Sequence, residues 1–113
     1  MWGVETDRMC SAHLLGEHRE LHLLVGALRA CGTGRMHIHG HLRAGLIDLR
    51  LIASRHEELV EEFKRRGFMS GFLHDTPLSA KDIPEYTGQG APGWINVQAN
   101  EAELHARCKR CRF

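Results

Sequence analysis

At 113 residues the chain can bury one hydrophobic core and has no material for a second, so a single domain spanning 1–113 is expected. Its 42% hydrophobic and 26% charged residues exclude a disordered or fibrous chain, and a net charge of only +1 excludes binding that relies on bulk positive charge. The longest apolar run, Leu21 to Leu28, is broken by His22 and Gly26 and is far short of the ~18 residues of a membrane span.

The first residues hold Glu5 and Asp7 where a signal peptide would be apolar, so a cytoplasmic protein with no membrane partner is expected. In that setting the four cysteines are expected to be thiols or metal ligands rather than disulfides. In chain order, the first predicted helix runs from about Asp7 to Cys31, capped by Thr6 or Asp7 and ended by Gly32-Thr33-Gly34. Leu14, Leu21, Leu24, Val25 and Leu28 recur at helical spacing and should face the core. His13, Glu17 and Glu20 step by four and three, which sets an imidazole and two carboxylates on one side.

Arg35 to Gly45 reads as a loop or short irregular segment. The second helix, 48–66, carries Leu49, Ile52, His56, Leu59 and Phe63 at steps of three and four. It closes with Lys64-Arg65-Arg66 and then Gly67, cations in the last turn and glycine after it. From Gly67 to Gly93 the chain holds all three prolines and reads as a long loop anchored by Phe68, Phe72, Leu73 and Tyr86. A third helix, 96–110, starts at the capping residue Asn96 and should set Val97, Leu104, Cys108 and Cys111 on one face. The expected fold is therefore all-α: a compact three-helix domain with long loops and no sheet beyond isolated bridges.

Two runs carry a resemblance. His13-Leu14-Leu15-Gly16-Glu17-His18-Arg19-Glu20-Leu21, followed by Val25-Gly26-Ala27-Leu28-Arg29, is similar to the first helix of the pyrimidine-dimer glycosylases of the phage endonuclease V type. Glu58-Leu59-Val60-Glu61-Glu62-Phe63-Lys64-Arg65-Arg66-Gly67-Phe68 resembles the end of that family's second helix. The resemblance implies a three-helix body through which the N-terminal segment threads toward the first helix. It also implies base excision at pyrimidine dimers, then strand cleavage at the abasic site, on double-stranded DNA and with no cofactor required. In that chemistry the chain's own α-amine forms an imine with the sugar C1′, and a flipped-out base gives access. An α-amine ordinarily titrates near ~8 against ~10.4 for lysine, so a neutral fraction exists without special tuning.

Carried onto this sequence, the resemblance implies Met1 as nucleophile, Glu20 as the assisting carboxylate and Arg19 as its phosphate-binding neighbour. It leaves His13, Arg8, Arg29 and Lys64 as the expected DNA-contacting set. Four features differ from the family. The segment before Glu20 is about two residues shorter, which removes ~7 Å of reach. Trp2 is bulky, so the initiator methionine is expected to be retained. Leu23 stands where the family has a second active-site arginine. The family's aromatic C-terminal tail is replaced by Cys108-Lys109-Arg110-Cys111-Arg112-Phe113.

A second reading comes from the cysteines. Cys10-x-x-His13 and Cys108-x-x-Cys111 have the spacing of a structural zinc site, which would pin the C-terminal segment to the start of the first helix; the alternative is that the two later cysteines are small core residues. On that reading a zinc-stabilised, non-catalytic DNA-binding module competes with the enzyme. His37, His39 and His41 alternate and would share one side of a strand, the basis of a third, metal-storage reading.

Overall fold

The computed structural model describes residues 1–29, 40–68 and 93–112. In it a short 3₁₀ turn, Thr6–Arg8, precedes helix α1, Ser11–Arg29. A helical turn at 40–43 leads into strand β1, Leu46–Asp48, the 3₁₀ turn Leu49–Leu51 and helix α2, Ile52–Arg65. Strand β2, Gly93–Ile95, leads into helix α3, Val97–Arg107. The chain is thus mostly helical, as expected. None of the described helices is long and apolar enough to cross a membrane.

The expectation of a purely helical fold is corrected by the sheet. β1 and β2 pair antiparallel, with Leu46 opposite Ile95, Ile47 opposite Trp94 and Asp48 opposite Gly93. Two glycines permit it. Gly93 has φ +88, and a Cβ there would lie 2.2 Å from the carbonyl oxygen of Ile47, so only glycine lets the strands approach. Gly45, at φ +74, lies flat under the ring of Trp94. Strands of three residues carry too little alternation to register as a period-two pattern.

Helix boundaries shift for local reasons. α1 starts at Ser11 rather than near Asp7, because Thr6 and Asp7 belong to the separate 3₁₀ turn, which has no side-chain cap. Cys10 takes the capping place: its carbonyl accepts from Leu14 N–H, and its own N–H donates to Cys111 Sγ at 3.3 Å. α2 starts at Ile52 rather than 48, since Asp48 accepts from Arg50 N–H and caps the 3₁₀ turn instead. Its end is as expected. Gly67 at φ +75 donates to Lys64 O, Phe68 N–H reaches back to Phe63 O, and the Phe63 and Phe68 rings stack at 5.4 Å. That hydrogen-bond pair with its hydrophobic contact is a Schellman ending. Asn96 caps α3 by accepting from Ala99 N–H, but the helix ends at Arg107, so Cys108 and Cys111 lie beyond it and not on its face.

The core is built from the predicted stripes. Leu14, Leu21 and Leu28 of α1 meet Ile52, Leu59 and Phe63 of α2, joined by Leu42, Leu104 and the N-terminal residues Val4 and Met9. Burial of Val4 and Met9 fixes the path of the first ten residues across the helices. The predicted end of the first helix at residues 30–34, the His37–His41 cluster apart from His41, and the anchors Phe72, Leu73 and Tyr86 lie outside the described residues.

Candidate active site

Glu17 and Glu20 stand on α1 one turn apart and meet opposite fates. Glu17 is 0% exposed and receives a two-pronged hydrogen bond from Arg55 of α2, at 2.5 and 2.9 Å. Burial pulls the Arg55 pKa down, but its bonds to Glu17 and Glu58 outweigh that and leave it raised. Arg55 also donates to the carbonyl of Val4 at 2.8 Å, so the buried pair grips the N-terminal segment.

A second grip comes from α3. Buried Asn100 donates through Nδ2 to the carbonyls of Trp2, at 2.8 Å, and Met1, at 3.4 Å. Between these two holds the chain turns at Gly3, φ +70, where a Cβ would press against Ile95 at 3.0 Å. Arg66 adds a third hold, donating to the carbonyls of Thr6 and Met9 and to Ser11 Oγ. The basic run at the end of α2 is therefore partly structural.

The result is a placed amine. The Met1 nitrogen lies 3.9 Å from Oε2 of Glu20, whose side chain is 62% exposed. The loss of reach expected from the shorter segment does not separate the two groups. Both line a cavity of about 510 Å³ walled by Trp2, Leu23, Leu24 and Ile47. Among the described residues lining it, Glu20 is the one carboxylate. Leu23 is one of the apolar residues of this wall.

The other predicted site residues are dispersed. Arg19 is exposed beside Glu20. Arg8 pairs with Glu101 at 2.8 Å and donates to Arg112 O, and exposed Lys64 lies 3.5 Å from Glu61. Arg29 is exposed in the last turn of α1. His13 faces the cysteines: Nδ1 is 3.1 Å from Cys10 Sγ and 3.5 Å from Cys111 Sγ.

Cys10, His13, Cys108 and Cys111 form a cluster whose four donor atoms lie within 4.8 Å of one another, and the three cysteines are free thiols. The sulfurs of Cys10 and Cys108 are 3.8 Å apart, matching the ~3.8 Å that a tetrahedral ion with ~2.3 Å bonds to sulfur would set. Burial pushes the Cys111 thiol up to about 11, while a hydrogen bond from the Cys111 backbone lowers the Cys108 thiol. Three sulfurs and one imidazole nitrogen at this spacing are compatible with a bound metal ion.

Trp2 joins the two regions. Its ring lies edge-on to His13 at 6.0 Å and under Arg107 at 5.8 Å, while the residue also lines the cavity. Sequence reasoning missed Asn100, Gly3 and the Arg55–Glu17 pair. Arg55 had a signal, because it interrupts the buried Ile52-His56-Leu59 stripe with a charge; Asn100 had none.

Residues 1–75 match the family described as pyrimidine dimer DNA glycosylase. No curated protein and no solved structure matches the chain. The matched span contains Met1, Glu20, the Arg55–Glu17 pair and Cys10 with His13, and on the strength of that match the chain belongs to the pyrimidine dimer DNA glycosylase family.

Proposed function

We propose that the protein excises damaged pyrimidines from duplex DNA and then cleaves the strand, with the Met1 amine as nucleophile and Glu20 as its partner. The observation that carries this is the 3.9 Å approach of the Met1 nitrogen to Glu20 in a mainly apolar cavity, where His41 and Asn100 are the other polar side chains. The nitrogen lone pair bonds to the sugar C1′ as the bond from C1′ to the base breaks and the base leaves with that electron pair. Glu20 accepts the proton that the amine sheds and hands it to O4′ as the C1′–O4′ bond opens under the push of the nitrogen lone pair. The carboxylate then balances the charge of the resulting iminium. Loss of the C2′ proton then expels the 3′ phosphate. Apolar walls strengthen the carboxylate's effect on the iminium and suit an extruded base. Arg19, Arg29, Arg8 and Lys64 are the cations offered to phosphates, while His13 is turned to the cysteines.

Incubation of the protein with abasic and dimer-containing duplexes under borohydride tests this, and a covalent adduct is the expected product. Glu20→Gln should reduce strand cleavage by roughly 10²–10⁴ while leaving the fold unchanged, because the side chain is exposed and the change nearly isosteric. If no form of the protein traps either duplex, the excision reading fails and a DNA-binding module on this scaffold replaces it.

The same proposal includes a structural zinc held by Cys10, His13, Cys108 and Cys111. Its role is to fasten residues 108–112 to the start of α1, where Arg112 N–H also donates to Arg8 O at 2.6 Å. Metal analysis should find a zinc equivalent that Cys108→Ser removes, with the melting temperature falling by ~10 °C or more. Trapping should weaken in the same variant, since Trp2 leans on His13. Unchanged stability after chelation would return these thiols to the core.

A further inference from the structure

A second group of nitrogen donors lies elsewhere on α1. His18 and His22 are one turn apart on that helix, and His56 of α2 faces both. The three rings form a nearly equilateral triangle, with centroids 4.9 Å apart for His18–His22 and 5.1 Å for each of the other pairs. One ring nitrogen from each lies within 4.8 Å of the other two.

From this geometry we propose that His18, His22 and His56 bind one divalent transition ion of the zinc class, with the fourth position open to solvent. Three imidazoles select a borderline ion such as Zn²⁺, Co²⁺, Ni²⁺ or Cu²⁺ over Mg²⁺ or Ca²⁺, which prefer oxygen. Bonds of ~2.0–2.1 Å need nitrogens ~3.4 Å apart in a tetrahedral site. The outer torsion of an imidazole is broad and soft, so ring rotation is the movement that would bring the nitrogens to that spacing.

The surroundings suit an ion that is both held and accessible. His56 is buried, whereas His18 and His22 are half-buried, so one side opens outward. Phe63 walls the inner side, its ring edge-on to His18 at 5.3 Å. The exposed Glu57 carboxylate stands 3.6 Å from Nδ1 of His56, a spacing longer than a hydrogen bond.

This site is separate from both regions already described. At ~100° per residue, His18 and His22 each lie ~160° around α1 from Glu20, on the opposite side of the helix from the Met1 amine. It also differs in kind from the cysteine cluster, which has four protein ligands and no open position. An ion here cross-links α1 to α2 across the core and presents a water or a small anion outward. The inference does not depend on the excision reading.

Cobalt titration of the full-length protein distinguishes the two metal sites. Cobalt at the cysteine cluster carries a thiolate charge-transfer band, and cobalt at the histidines adds visible absorption without one. The expected result is a cobalt equivalent of the second kind in the unaltered protein. His22→Gln and, separately, His56→Gln should each weaken it by ~100-fold or more, leaving the thiolate band and borohydride trapping unchanged. Saturating that equivalent should raise the melting temperature by ~5 °C or more. His22 is half-buried, so its variant is expected to stay folded even if the His56 variant does not, and circular dichroism checks each. Absence of any thiolate-free cobalt signal in the unaltered protein, or its survival in a folded His22→Gln variant, overturns the proposal and leaves three packed rings.

Discussion

Acetylating the α-amine of Met1 is expected to abolish borohydride trapping of abasic DNA while changing duplex affinity by no more than about twofold, because affinity rests mainly on phosphate contacts. An amide nitrogen has no lone pair to give, so imine formation stops at its first step. A two-residue extension makes a sharper test. The backbone holds at Trp2, Val4 and Met9 stay in place, since Asn100, Arg55 and Arg66 grip carbonyls that the extension does not touch. The new amine is then carried up to ~7 Å beyond its present position next to Glu20. Trapping by the extended protein should fall to background. Full activity in either the acetylated or the extended form would place the nucleophile on another residue.

Replacing Arg55 with alanine should destabilise the protein by about 3–5 kcal/mol, a large share of the ~5–15 kcal/mol typical of a domain. The loss is that large because Glu17 is wholly buried and would be left there without its partner. Packing matters less than pairing here. The double variant Arg55→Met with Glu17→Met should therefore recover most of the stability, since two apolar side chains fill the space without a desolvated charge. Urea melts of the two single variants and the double variant measure this directly. The double variant still lacks the bond to Val4 O, so it should be stable yet trap DNA poorly. A single Arg55→Ala variant that melts like the parent would mean that Glu17 finds solvent or another donor.

Much of this arrangement was legible in the sequence, and the exceptions share a cause. The stripe of Ile52, His56, Leu59 and Phe63, the Asn96 cap and the Gly67 ending all depend on neighbours within one or two helical turns, and sequence spacing records such relations. The Cys10–His13 and Cys108–Cys111 pairs were legible in the same way, although the placing of the later pair on a helix face was not, because Cys108 and Cys111 both lie beyond the last helix. The pairing of Leu46–Asp48 with Gly93–Ile95 and the hold of Asn100 on Trp2 join residues some fifty to a hundred positions apart. Nothing local at either end announces the other. Glu17 illustrates the limit: its spacing with Glu20 set two carboxylates on one helix side, but only the arrival of Arg55 decides that one is buried and the other open.

The cysteine cluster also has a consequence for the order in which the molecule assembles. Cys10 and His13 are translated 98 residues before Cys108 and Cys111 respectively, whereas the α1–α2 contact joins segments about 40 residues apart. Contacts of short sequence separation form first because less chain must be brought to order at once. The helical pair is therefore expected to associate while the later part of the chain is still being made, with the thiols of Cys10 and the first segment waiting for their partners. With zinc bound as proposed, its capture would be the closing step, and Trp2, resting against His13, would settle only once that step is complete. On this account a supply of zinc limits how many newly made molecules mature, and starvation for it should accumulate a helical but loosely tethered intermediate rather than an unfolded chain.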